Sequence, residues 1–203
     1  MMYNRDMLKE TVVNVKEQVE LVRQMKRIAI VKLVLPFCLT GAAVLFLWFA
    51  GPDVYTKYVA VFSVYSFMPI GGAIAVIPAG LGLGVPPEGL IFFILFTDST
   101  LSLFLVWNFD YAKRIPFLGE LVLRTEENGE KAIRRYKWAK RFGFIGLVLF
   151  VMFPLQYTGS AVGSIAGRLL GMPSLMTWLA VVVGSFLRSL IAILIYYGAL
   201  SFL

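Results

Sequence analysis

The chain has 203 residues, of which 59% are hydrophobic and only 15% are charged, and its mean hydropathy is +0.80. These values exclude an ordinary soluble domain and indicate an all-α integral membrane protein, since helices satisfy their own backbone hydrogen bonds in lipid. The chain has no histidine and one cysteine, Cys38, so the usual zinc and haem ligands and an internal disulfide are missing. We therefore expect no metal, no cofactor and no metal or redox enzyme. The net charge of +7 comes from basic residues flanking apolar segments, which indicates anionic lipid as a partner and not nucleic acid.

The first two predicted elements are an amphipathic helix and a spanning helix. Residues 1–27 carry apolar side chains at alternating steps of four and three, from Leu8 to Val22, which predicts an interfacial helix on the cytoplasmic side. The membrane domain is predicted to cover residues 28–203. It begins with an apolar run at residues 28–50, about 34 Å long as a helix at ~1.5 Å per residue, which is enough to cross a bilayer.

The next segment, residues 58–86, is apolar but interrupted. Its first arm, residues 58–68, is only about 16 Å long as a helix, which is too short to cross. We predict a re-entrant hairpin, which a bilayer tolerates where protein or a watery cavity covers the exposed backbone. Two thin full crossings are the alternative interpretation. The expected breakers are Pro69, Gly71, Gly72, Pro78 and Pro86.

Residues 88–107 form a second predicted spanning helix with an acid at its centre. Asp98 in this position is expected to face the protein interior and to mark an ion path, a proton relay or a pairing partner. Glu88 lies in the first turn, where it can interact with the positive end of the helix dipole. The polar stretch that follows, residues 108–141, has nine Lys and Arg against five Asp and Glu and is expected to form an amphipathic cytoplasmic loop.

A second interrupted segment, residues 142–173, precedes the last predicted spanning helix, residues 174–200. Arg168 lies near the end of this segment, and Arg188 lies near the middle of the last helix. We predict a second re-entrant hairpin here. Its expected breakers are Pro154, Gly159, Gly167, Gly171 and Pro173.

The two interrupted segments resemble each other. A shift of 87 positions aligns five identical residues within eight positions, namely Ala79, Gly80, Leu83, Gly84 and Pro86 with Ala166, Gly167, Leu170, Gly171 and Pro173. Broken apolar segments at corresponding places in two halves are typical of inverted-repeat transporters. We therefore predict an inverted repeat of hairpin plus spanning helix, with an extra N-terminal spanning helix. The basic segments predict a multi-pass protein of the cell membrane with its N-terminus in the cytoplasm and its C-terminus outside.

The segments FMPIGGAIAVIPAGLGLGVPPEG and FPLQYTGSAVGSIAGRLLGMP resemble the small multi-drug export protein family of prokaryotes, over roughly residues 67–197. The most specific residues are Pro154, Thr158, Gly159, Gly167, Leu170 and Gly171. That family is more distantly similar to the DedA and VTT-domain (SNARE-associated) proteins, which have two membrane-inserted hairpins and are linked to lipid scrambling or polyprenyl-phosphate translocation. The chain departs from the DedA pattern, since its first hairpin has no acid before Glu88 and Gln156 to Thr158 replace an arginine.

The resemblance and the buried charges predict a transporter or scramblase that moves an amphiphile, an anionic lipid or a polyprenyl phosphate. A cationic drug exporter, using Asp98, and a structural or assembly protein without transport are the two alternatives. Arg168 has a structural interpretation, in which it pairs with Asp98 or caps hairpin carbonyls, and a functional one, in which its planar fork binds a phosphate or carboxylate headgroup. Asp98 and Arg188 are equally open to two interpretations, a neutralising pair or the two halves of a coupling device. A homo-oligomer is left open. The candidate substrate- or ion-binding residues are Arg168, Asp98, Arg188, Glu88, Gln156 and Thr158.

Overall fold

The computed structural model describes the backbone of residues 3–67, 72–112, 137–153 and 159–200, and most of the side chains from residue 20 onward within these ranges. All of the regular structure in them is α-helical, as the composition predicts. The seven described helices are α1 (Tyr3–Phe49), α2 (Pro52–Phe67), α3 (Gly72–Gly82), α4 (Pro87–Ala112), α5 (Lys137–Met152), α6 (Ser160–Leu169) and α7 (Ser174–Leu200).

Three of these helices contain a segment that is long and apolar enough to cross a membrane: Glu20–Phe49 in α1, Pro87–Phe109 in α4 and Ser174–Gly198 in α7. They coincide with the three full crossings expected at residues 28–50, 88–107 and 174–200. The agreement follows from chemistry, because about 20 consecutive apolar residues bury their side chains in a bilayer only as a helix.

The N-terminal polar segment is not a separate helix. A single helix, α1, runs from Tyr3 to Phe49 and continues through the boundary that we predicted between residues 27 and 28. The sequence explains this continuity: no glycine or proline occurs between Tyr3 and Val34, and the polar part is rich in Glu, Lys, Arg and Gln, which are good helix formers. An interfacial position for the polar part stays a prediction.

Both interrupted segments consist of separate helices. In the first, α2 ends at Phe67 and α3 begins at Gly72; in the second, α5 ends at Met152 and α6 begins at Ser160. At ~1.5 Å per residue, α3 and α6 are about 16 and 15 Å long, half of a ~30 Å hydrocarbon core. The second segment is not one continuous helix, because Phe153 and Gly159 are not helical. In the first segment, residues 68–71 lie outside the described residues, and the re-entrant path of both segments stays a prediction.

Several of the expected breakers lie at the start of a helix. Pro69, Gly71 and Pro154 lie outside the described residues, while Gly72 opens α3 and Gly159 is the N-cap of α6. Pro86 and Pro173 accept the first backbone hydrogen bonds of α4 and α7, from Leu90 and Thr177.

Two of the expected breakers lie inside helices instead. Pro78 is in the interior of α3, which continues past it at the loss of one backbone donor. Gly167 is in the interior of α6, where a Cβ atom would lie 2.4 Å from Cγ2 of Thr177 and 2.7 Å from Cδ2 of Leu147. Gly167 therefore serves close helix packing and does not break the chain.

The turns that follow α3 and α6 have the same local structure. Gly84 and Gly171 both have φ of +76°, a left-handed conformation that glycine adopts without strain. The backbone hydrogen bonds recur at the spacing of 87 residues: Val85 N to Gly80 O at 3.0 Å, and Met172 N to Gly167 O at 3.0 Å. The repeated sequence thus folds into a repeated turn. The opposite membrane orientation of the two copies stays a prediction.

Helix α7 lies at the centre of the packing and contacts α3, α4, α5 and α6. One apolar cluster joins α2, α3, α4 and α7 around Ile77 and Ile94, and a second joins α5, α6 and α7 around Val151 and Val181. The polar residues described next lie where α4, α6 and α7 pack together.

Candidate functional site

Buried polar residues concentrate on three helices that pack together. In a membrane protein such residues are rare on lipid-facing surfaces and mark the interior of the bundle. Among the described side chains, the polar ones that are fully or almost fully buried are Asp98, Thr100, Ser102 and Asn108 on α4, Ser160 and Ser164 on α6, and Thr177, Ser185, Arg188 and Ser189 on α7.

Asp98 and Arg188 form an ion pair at the centre of this group. Nη2 of Arg188 lies 2.6 Å from Oδ2 of Asp98, and the residues are 4% and 1% exposed. Asp98 is therefore buried and paired with an arginine, as expected from the sequence. Because two desolvated charges rarely repay their loss of hydration by attraction alone, the remaining lone pairs need further hydrogen bonds.

Two hydroxyl groups supply those hydrogen bonds. Tyr65 and Ser160 both donate to Oδ1 of Asp98, at 2.5 and 2.7 Å, and Nη2 of Arg188 also donates to the Tyr65 oxygen at 3.2 Å. Hydrogen bonds to an ionised carboxylate are stronger than those between neutral groups. Both carboxylate oxygens of Asp98 are thus occupied by donors from three other helices.

The two hydroxyl donors lie next to the interruptions of the two segments. Tyr65 lies two residues before the end of α2, and Ser160 is the first residue of α6. One carboxylate on α4 therefore contacts both interrupted segments next to their interruptions. With Arg188 on α7, it links α2 and α6, one helix from each interrupted segment, to α4 and α7.

A chain of weaker polar contacts extends from this cluster along α6. The Ser164 hydroxyl lies 2.7 Å from the Ser102 hydroxyl and 2.6 Å from the carbonyl oxygen of Ser160. Nε1 of Trp178 donates to the Ser99 carbonyl at 3.1 Å. These contacts fix the register of α6 and α7 against α4.

Arg168 lies in the last turn of α6, away from Asp98. Its Nη1 donates to the carbonyl oxygen of Met172 at 3.1 Å, and its guanidinium carbon lies 5.8 Å from the centre of the Phe109 ring, within cation–π range. We considered two structural contacts for Arg168, an ion pair with Asp98 and a hydrogen bond to a backbone carbonyl. The structure shows the hydrogen bond to the carbonyl. The ion-pair partner of Asp98 is Arg188. A role of Arg168 toward a headgroup stays a prediction.

The remaining candidates are not part of the cluster. Glu88 is exposed in the first turn of α4, ten residues from Asp98, about 15 Å along the helix. Gln156 and Thr158 lie outside the described residues. Within the part of the chain that the structure describes, no group of three or more His, Cys, Asp or Glu residues could hold a metal ion.

Sequence reasoning missed two residues of the site, Tyr65 and Ser160. Ser160 directly follows Gly159, one of the expected breakers and the N-cap of α6, and this position is the signal that could have found it. No signal in the sequence distinguishes Tyr65 from the other tyrosines.

The model of the family described as Putative small multi-drug export protein matches residues 73–191, more than half of the chain. The matched range includes Asp98, Ser160 and Arg188. Comparisons with curated proteins and with solved structures each found no match. The family description is that of a membrane transporter, not of an enzyme. Because the match covers more than half of the chain, the chain belongs to this family of small multi-drug export proteins.

Proposed function

We propose that the protein is a membrane transporter or scramblase that moves an anionic amphiphile, such as a lipid phosphate or a polyprenyl phosphate. The observation that carries the proposal is the Asp98 carboxylate, which accepts hydrogen bonds from Tyr65 and Ser160 and pairs with Arg188. A substrate path between the ends of the two interrupted segments would pass this cluster. The distant resemblance to DedA proteins that we predict from the sequence would imply the same class of cargo.

A contribution to the stability of the fold does not by itself explain the buried Asp98–Arg188 pair. Replacement of a buried ion pair by well-packed apolar residues is often neutral or stabilising, so a pair kept in the middle of a membrane protein favours a functional role. Because the helix ends of both segments bind the same oxygen of Asp98, movement of one end changes the hydrogen bonds of the other. The carboxylate is thereby suited to couple the two hairpins during transport.

The charge balance favours an anionic cargo. Arg168 and Arg188 lie on α6 and α7, whereas Asp98 is the one deeply buried acid among the described side chains. The predicted cytoplasmic loop, residues 108–141, carries nine basic and five acidic residues and would concentrate anionic lipid beside the bundle. A planar guanidinium also matches the oxygens of a phosphate better than an ammonium group does.

Export of a cationic compound is the second candidate. The family description names drug export, and Asp98 would be the binding acid for a cationic drug. The two candidates differ in which residue the cargo displaces: a cation competes with Arg188 for Asp98, whereas an anion competes with Asp98 for Arg188.

Flux through the purified protein in liposomes tests the proposal. Vesicles are loaded with a fluorescent lipid phosphate or with a cationic dye, and each flux is compared with that of protein-free vesicles. Protein-dependent movement of the lipid phosphate alone supports the proposal, and movement of the dye alone supports the second candidate. Movement of neither compound contradicts both and favours a structural or assembly role.

A further inference from the structure

Helix α7 carries two buried hydrogen-bonding atoms that lack a partner within the part of the chain that the structure describes. They are Oγ of Ser185 and Nε of Arg188. The two residues are 0% and 4% exposed. Nη2 of the same guanidinium does have partners, since it donates hydrogen bonds to Asp98 and Tyr65. The unused Nε therefore belongs to a guanidinium that already forms an ion pair.

Ser185 and Arg188 are three residues apart on α7, so they lie on the same face of the helix. Buried polar atoms without partners are rare in native structures and call for a specific reason. An N–H group and a hydroxyl group both donate to an oxygen that carries negative charge, and the positive guanidinium disfavours a cation at this place.

The internal repeat allows the buried polar residues of α7 to be compared with those of α4. At the spacing of 87 residues, Ser185 corresponds to Asp98 and Ser189 corresponds to Ser102, and all four side chains are buried. On α4 this position holds a carboxylate, whereas on α7 it holds a hydroxyl with an unused arginine nitrogen one turn away. Asp98 pairs with Nη2 of Arg188, but among the described residues no anionic group forms a hydrogen bond with Nε of Arg188 or Oγ of Ser185.

We infer that Ser185 and Nε of Arg188 form an anion subsite that takes one oxygen of a phosphate or carboxylate group. The inference rests on the proposed function, because it names the place on the transport path where the anionic group of the cargo binds. Inorganic phosphate and a lipid phosphate headgroup share this chemistry. Separate titrations with each of them distinguish the two sources.

The test is calorimetric titration of the full chain in detergent with inorganic phosphate and with a short-chain phosphatidic acid. Ser185→Ala is expected to weaken binding roughly tenfold, because a hydrogen bond to a charged group is lost. It should also raise the Tm, since a buried hydroxyl without a partner disappears. Ser189→Ala is the matched control: its hydroxyl lies one turn further on α7 and already donates to the Ser185 carbonyl at 2.9 Å. Its affinity should stay within about twofold of the parent protein.

Two results would overturn the subsite: no binding of either ligand by the parent protein, or the same Kd in a folded Ser185→Ala variant, as expected when only water occupies the place. The subsite and the transport proposal can fail independently. Binding without flux in liposomes leaves the subsite standing and removes the transport function. Flux of lipid phosphate with an unchanged KM in Ser185→Ala leaves transport standing and removes the subsite.

Discussion

Tyr65 and Ser160 donate hydrogen bonds to the same oxygen of Asp98, at 2.5 and 2.7 Å, although they belong to different interrupted segments. Tyr65 lies just before the first interruption and Ser160 just after the second. Arg188 binds the other carboxylate oxygen. The carboxylate is thus held by three helices, which provides the extra hydrogen bonds that a desolvated ion pair needs.

Tyr65→Phe is expected to lower the free energy of unfolding by about 1.5–3 kcal/mol, because it removes a hydrogen bond to a buried charge and leaves the ring in place. Thermal unfolding in detergent measures this change, and lipid-phosphate flux should fall with it. The control is Tyr196→Phe, whose ring packs on the same apolar cluster and whose described contact is with the ring of Tyr197. Equal effects of the two substitutions would contradict the role assigned to the Tyr65 hydroxyl.

The ion pair is tested with a double-mutant cycle. Asp98→Asn and Arg188→Gln are each expected to destabilise the protein by about 3–5 kcal/mol, since each leaves one buried charge uncompensated. The double variant should cost clearly less than the sum of the two, because it leaves no unpaired charge. Equilibrium unfolding of the four proteins gives the coupling energy. Additive losses would mean that the contact contributes little to stability.

The sequence predicted those parts of the fold that depend on a large free-energy term. The three crossings were predicted from apolar runs of about 20 residues, and a cationic partner for Asp98 was predicted because an unpaired charge in the membrane is costly. The choice between Arg168 and Arg188 was left open. It depends on how α6 and α7 cross α4, and local sequence does not fix that relationship.

The features that the sequence did not predict depend on smaller free-energy contributions. The Tyr65 and Ser160 hydroxyls carry no charge, so their burial in apolar segments leaves little signal in a hydropathy profile. The unbroken α1 reflects local helix propensity, which continues across the change from polar to apolar residues at residue 28. Gly167 and Pro78 were predicted to be breakers by residue type alone, and their helical environment depends on neighbouring helices.

Close packing of α6 is tested by adding one methyl group. Gly167→Ala is expected to destabilise the protein by about 1–3 kcal/mol, because the new Cβ would lie 2.4 Å from the branched side chain of Thr177. At the repeat-related Gly80, the new Cβ would meet the flexible end of Leu90 at 2.4 Å, so the loss should be smaller. Gly82→Ala is the control, with no heavy atom within 4 Å. Thermal unfolding ranks the three variants, and a loss in Gly82→Ala equal to that in Gly167→Ala would contradict the packing explanation.

Arg168→Lys tests the predicted recognition of a headgroup. The substitution keeps the positive charge near the Phe109 ring but loses the planar fork that binds two phosphate oxygens. We expect a folded protein whose lipid-phosphate flux falls by roughly tenfold, the effect of one lost charge-assisted hydrogen bond. Arg168→Gln should abolish that flux, and adding Asp98→Asn should not restore it, because the partner of Asp98 is Arg188. Undiminished lipid-phosphate flux in a well-folded Arg168→Gln protein would exclude this role and leave Arg168 as the cap of the Met172 carbonyl.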